Sequence, residues 1–269
     1  MSVILDRATK IVSKSSSVVA FETTGTNAWP VWDRYLTIDG KQAYHLGNIC
    51  GTCRYMFERM EGASRTIDVG SLTGQLESGV ERLDELLVDA LALLLPSASY
   101  RVALIKLYPS AIKLGSREDY FAHEQVENEG GVDPFWGLPH YPRVTYYRAG
   151  QSKISFDRGR LVSVGSLFEF VVPMIPEQLL NPARISDYEV RIKAGAMPTA
   201  VALSVLDVKG PAMRGIDHWC FAHYLLDGHH KVAAAARTGD PITLITFLAT
   251  DHGVASMAEI EAAFAALVA

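Results

Sequence analysis

Two periodicities alternate along the chain. Between residues 76 and 94 the apolar positions Leu76, Val80, Leu83, Leu87, Ala90, Leu91 and Leu94 recur every three or four residues, which predicts one amphipathic helix stopped by Pro96. Residues 100–108 follow with Val102, Ala103, Leu104 and Ile105 in an unbroken run, the pattern of a buried strand. Upstream, the first stretch of about 65 residues is aromatic and punctuated by glycine, with strand-like runs at 17–21 and 35–38.

From Gly115 to Gly150 the periodicity is lost among Gly, Pro, Tyr and Trp, and this region is read as a long irregular segment close to a boundary. Beyond it the order is strand, helix, strand, strand, helix, strand. The strands are placed at 168–173, 200–208, 222–226 and 242–248. A short helix is expected over 185–194, with Ser186 near its start and Gly195 past its end. The alanine-rich run 229–238 reads as a helix stopped by Gly239. Ser256 and Glu259 form a capping box that opens a last helix, with Met257, Ile260, Phe264 and Leu267 facing inward. The chain is therefore expected to be an α/β (α+β) protein in two parts. Residues 1–165 form an N-terminal α+β region with a Cys-x-x-Cys, and residues 166–269 form a second domain.

Composition narrows the class. A chain of 269 residues with 49% hydrophobic and 20% charged positions can bury a core and is not disordered. The net charge of −5 argues against a non-specific nucleic-acid binder. The start shows no signal peptide, and the most apolar window, 83–95, is interrupted by Asp84, Glu85 and Asp89. It falls far short of the ~20 apolar residues of a membrane helix, so a cytoplasmic protein with no membrane partner is expected. Three cysteines do not make a disulfide framework. Homo-oligomerisation is left open.

The chemistry concentrates at Asp227-Gly228-His229-His230-Lys231. A buried strand ends, a glycine allows a tight turn, and a helix starts at once. The first helical N–H groups have no internal partner and the helix dipole adds positive potential, so phosphate is the natural occupant. Gly228, His229, His230 and Lys231 are the expected cradle, and Asp227 could hold Mg²⁺ or orient a hydroxyl. The plainer reading is a strand–turn–helix with Asp227 as a cap and solvated histidines.

The run from Val172 to Leu248 resembles a ParB/sulfiredoxin-type domain. Four pieces carry the likeness: Pro-Met-Ile-Pro-Glu-Gln-Leu-Leu from 173, Gly-Ala-Met-Pro-Thr-Ala-Val-Ala-Leu from 195, Tyr-Leu-Leu-Asp-Gly-His-His-Lys-Val-Ala-Ala-Ala from 224, and Gly-Asp-Pro-Ile-Thr-Leu from 239. The Asp-Gly-His-His version is closest to the ADP-dependent free-serine kinases of that superfamily. The resemblance implies a phosphotransferase acting on a small hydroxyl substrate with ADP or ATP and Mg²⁺. It makes Glu177 the base and Asp227 the second catalytic carboxylate, with His229 and His230 beside them. The chain departs from the family in three ways. Residues 207–221 look like an insertion, and Lys231 replaces the usual Arg, a point charge for a bidentate fork. Neither the Gly-Glu-Arg-Arg pattern of the DNA-partitioning members nor the sulfiredoxin cysteine is present. A non-catalytic nucleotide-sensing or partner-binding module would use the same cradle.

Cys50 and Cys53 resemble half of a zinc knuckle, which would have to be completed by His45, His123, His140, His218, His223 or Cys220. A redox dithiol is the alternative. A third reading has two small residues opening a helix over 55–60. Asp119 to Glu124 could set His123 beside carboxylates, and Phe135 to His140 could form an aromatic wall over a ligand.

Overall fold

The structure, a computed structural model, describes residues 2–122, 144–157, 159, 162–210 and 216–267. Among them the fold is α+β, with five α-helices, an eight-stranded mixed sheet and a four-stranded antiparallel sheet. The large sheet holds β1 (Val3–Val12), β6 (Ala98–Leu107), β7 (Ser110–Ala111), β8 (Tyr147–Asp157), β9 (Val162–Val172), β10 (Thr199–Lys209), β11 (Asp217–Asp227) and β12 (Ile242–Ala249). Their order is β1-β6-β12-β10-β11-β9-β8-β7. The small sheet runs β2 (Val19–Thr24), β3 (Asp33–Ile38), β4 (Lys41–Asn48), β5 (Glu58–Arg59).

The large sheet is covered on both faces, which is why β10 and β12 are buried at every position. Val201, Leu203 and Val205 face one core with Leu36, Tyr44 and Leu46 of the small sheet and with Leu76, Leu87 and Leu91 of helices α1 (Thr73–Ser78) and α2 (Glu85–Ala92). Ala200, Ala202 and Leu206 face the other core, under α3 (Pro182–Lys193), α4 (His229–Thr238) and α5 (Met257–Ala266). Side chains alternate across each strand, so one apolar run serves two layers.

The order of elements from residue 168 onward is as the pattern predicts, and α4 has the bounds expected for it. Three local expectations change. The single helix over 76–94 is two. Gly79 has φ +98, and a Cβ there would stand 2.4 Å from the Met197 carbonyl oxygen, while the Asp84 side chain caps α2 by accepting from Leu87 N at 2.8 Å. Helix α3 starts earlier, capped by Asn181 rather than near Ser186. Met257 is exposed, although Ile260, Phe264 and Leu267 are buried as expected.

Both sides of residue 165 contribute strands to the one large sheet, and the expected boundary falls inside β9. Most of the described part of the stretch 207–221 belongs to the paired strands β10 and β11, with Asp207 opposite Cys220 and Lys209 opposite His218. Between the layers Arg34 of β3 grips Asp207 of β10 through both carboxylate oxygens, at 3.0 and 2.6 Å. Asp207 also accepts from Val254 N at 3.0 Å.

Candidate functional site

Strands β9 and β11 run parallel and end side by side. A ligand site outside the carboxyl ends of such strands is a recurring outcome of α/β architecture. Here β9 leads into the loop 173–181 and β11 leads through Gly228 into α4. Gly228 has φ +96, and a Cβ on it would lie 2.5 Å from Ala200 Cβ, so the turn needs glycine for both conformation and space.

The two histidines fasten the loop to the helix. His229 Nε2 accepts from Met174 N at 2.8 Å, and His230 Nε2 accepts from Asn181 N at 3.0 Å. Burial, with a smaller contribution from the neighbouring His230 charge, lowers His229 to about 3, so its ring is neutral. His230 is also lowered, chiefly by burial and then by Arg184. Because Nε2 of His229 accepts a hydrogen bond, its proton sits on Nδ1, which is buried and has no acceptor.

Lys231 is buried and donates to Thr199 O at 2.8 Å and to Asp227 Oδ2 at 3.2 Å. Its ammonium closes the turn on itself, and burial lowers its pKa against the opposing pull of Asp227. The arrangement differs from the cradle expected from sequence: the lysine and one face of each imidazole are already engaged by the protein.

A cavity of about 350 Å³ opens between the loop and the turn, lined in part by Arg59, Tyr147, Ile175, Glu177, Leu225 and His229. Glu177 stands in the short 3₁₀ turn Glu177–Leu179, with Arg237 Nη2 at 3.7 Å. Its charge adds to burial in raising the Tyr147 hydroxyl to about 12. Thus Glu177 and His229 share a cavity, whereas Asp227 is not among the described residues that line it. Arg59, from the small sheet, is a cavity residue that sequence reasoning missed. Its role follows from tertiary placement of β5, which no local pattern marks.

Cys50 and Cys53 are joined by a disulfide. The expected helix over 55–60 is absent, with β5 in its place. His45 pairs with Asp33 at 3.0 Å, His218 with Tyr120 at 2.8 Å, and Cys220 is buried in the core, so none of them stands with the two sulfurs. Among the described residues no three His, Cys, Asp or Glu side chains gather as metal ligands. His123, Glu124 and the aromatic run 135–140 lie outside the described residues, while Asp119 is buried and accepts from Tyr146 Oη at 2.7 Å.

A second cluster also escaped the sequence. Ser204 Oγ lies 2.9 Å from His223 Nδ1, and His223 Nε2 lies 3.9 Å from Glu169 Oε1. The order Ser–His–Glu suggests nucleophilic catalysis, yet the three residues are at most 1% exposed and face the core under the helices, where no substrate reaches. Compared with known proteins, the chain matches no family model, no curated protein and no solved structure. No helix among the described residues is long and apolar enough to cross a membrane.

Proposed function

We propose that the chain binds a small phosphate-bearing molecule, with a nucleotide the favoured class, in the cavity at the ends of β9 and β11. One observation carries this reading: the buried His229, which lines the cavity, keeps an Nδ1–H donor for which the protein supplies no acceptor. A buried donor left unpaired costs about 1–3 kcal/mol, so a ligand oxygen that reaches it gains that amount in binding. Arg59 adds a guanidinium to the same lining, and its Nε is likewise buried without a partner.

The fold belonging to this reading is the ParB/sulfiredoxin-like one for residues 166–269, supported by the strand–helix–strand–strand–helix–strand order and by the glycine turn into α4. A second reading, transfer of the phosphoryl group to a small hydroxyl substrate, is favoured by Glu177, a carboxylate in the cavity that could take the hydroxyl proton. Asp227 serves this reading less well. Lys231 places an ammonium 3.2 Å from its carboxylate, where Mg²⁺ would have to sit. No step is therefore routed through a metal at Asp227.

Thermal denaturation with inorganic phosphate, ADP, ATP and CTP, each with and without Mg²⁺, tests the binding. A nucleotide at about 100 times its Kd stabilises by about 2.7 kcal/mol, and Arg59→Ala should abolish most of that gain. No stabilisation by any of the four would overturn the proposal. Product analysis with small hydroxyl compounds tests the chemistry. Turnover that Glu177→Gln removes while nucleotide binding persists supports transfer, and binding without product in the wild type refutes it.

A further inference from the structure

The loop after β4 carries Cys50-Gly51-Thr52-Cys53 on the far side of the molecule's hairpin from the cavity, against the end of β10. It is seated by its carbonyl oxygens. Lys209 Nζ donates to Cys50 O at 2.9 Å and to Asn48 O at 3.4 Å, Arg34 Nη2 to Asn48 O at 3.2 Å, and Gly210 N to Gly51 O at 2.5 Å. The disulfide closes a ring of only a few residues, and short rings constrain the unfolded chain least. A loop already held by these four hydrogen bonds gains little from such a bond as a staple.

Cys50 and Cys53 are half-buried residues with Thr52 exposed between them, so the loop that carries the bond lies at the surface. Cys50 Sγ accepts from Cys53 N at 3.1 Å and lies 3.5 Å from Thr52 Oγ1. With the bond opened, those donors favour a thiolate on Cys50.

We infer that Cys50 and Cys53 are a redox-active dithiol–disulfide couple, with Cys50 the reacting sulfur and a thiol or disulfide of a second molecule as exchange partner. In the forward direction the Cys50 thiolate attacks the partner's disulfide, forming a mixed disulfide and releasing one partner thiolate. Cys53, as thiolate, then attacks the Cys50 sulfur and releases the second partner thiol. Two electrons pass from the protein's dithiol to the partner, and the two protons lost from Cys50 and Cys53 end on the partner's thiols. Cys220, fully buried in the core between the two sheets, takes no part.

The test equilibrates the full chain in glutathione buffers of graded reduced-to-oxidised ratio, quenches with acid, alkylates free thiols and weighs the peptide that spans residues 50–53. A single two-electron transition within the series, with the circular dichroism of the fold unchanged, is expected. A pair that stays oxidised at every ratio and opens only on unfolding is a staple, and overturns the inference. So does one zinc ion retained per reduced chain after gel filtration. Cys53→Ser should then take up glutathione at Cys50 at least ~10-fold faster than Cys50→Ser does at Cys53. Equal or reversed rates overturn the assignment of Cys50.

Discussion

A buried lysine sits at each end of the β10–β11 hairpin, and the two act differently. At the open end Lys231 donates to Thr199 O and to Asp227, its neighbour four residues back, so its charge is consumed by the turn that carries it. At the closed end Lys209 reaches Cys50 O and Asn48 O, and holds a loop from a distant part of the chain. A basic residue next to a glycine turn is thus no sign of a ligand cation by itself. The positive charge at the cavity comes instead from Arg59, on another sheet.

The contrast is sharpest where charge is buried deepest. Asp207→Ala should leave the Arg34 guanidinium buried without its carboxylate and Val254 N without an acceptor. A loss of about 3–5 kcal/mol in urea denaturation is expected, the largest single effect at the closed end. A loss below 1 kcal/mol would show that the two sheets are held by apolar packing alone.

At the open end, His229→Ala removes the acceptor of Met174 N and leaves a small cavity, which together should lower stability by about 2–4 kcal/mol. The sign of its pH dependence is fixed. His229 in the folded protein titrates near 3, below its unfolded value of 6.5, so the unfolded state binds more protons between those limits. Its contribution to stability is complete above pH 6.5 and falls by about 1.4 kcal/mol per pH unit as pH drops towards 3. The Ala variant should lack that component, and an unchanged slope would place the acid sensitivity elsewhere.

The smallest effect belongs to Lys231→Met. It removes the charged hydrogen bonds to Thr199 O and to the part-exposed Asp227, which water can solvate in its place, but it also removes an ammonium that burial already disfavours. The two effects offset, leaving about 1 kcal/mol or less of destabilisation. Should this variant instead lose nucleotide stabilisation with its fold intact, Lys231 would be a ligand cation after all.

Much of this arrangement is legible from sequence, and what is not has identifiable causes. The bounds of α4 are readable because Gly228 and Gly239 both take the left-handed conformation and alanines fill the interval. The α1–α2 break is not, because Leu76, Val80, Leu83 and Leu87 keep a helical spacing across it. What stops the helix is contact with residues more than a hundred positions away, Thr199 Oγ1 accepting from Val80 N among them. His229 and His230 are visible as a pair, but their role is not. Read locally they are donors for phosphate, whereas their Nε2 atoms accept from Met174 and Asn181 in a loop some fifty residues upstream. Glu177 and His229 both line the cavity, whereas Asp227, expected beside Glu177, is held by Lys231 at 3.2 Å and is not among the described residues of that lining.

Gly228 has a consequence for how this sequence can drift. Any side chain at that position meets Ala200 Cβ at 2.5 Å, and shrinking residue 200 to glycine would not make room, since its Cα already stands 2.9 Å away. No second-site change at 200 rescues the first, so position 228 is closed to substitution by a neighbour it cannot displace. A distant relative that keeps this strand-to-helix corner must keep the glycine, however little else of the sequence survives.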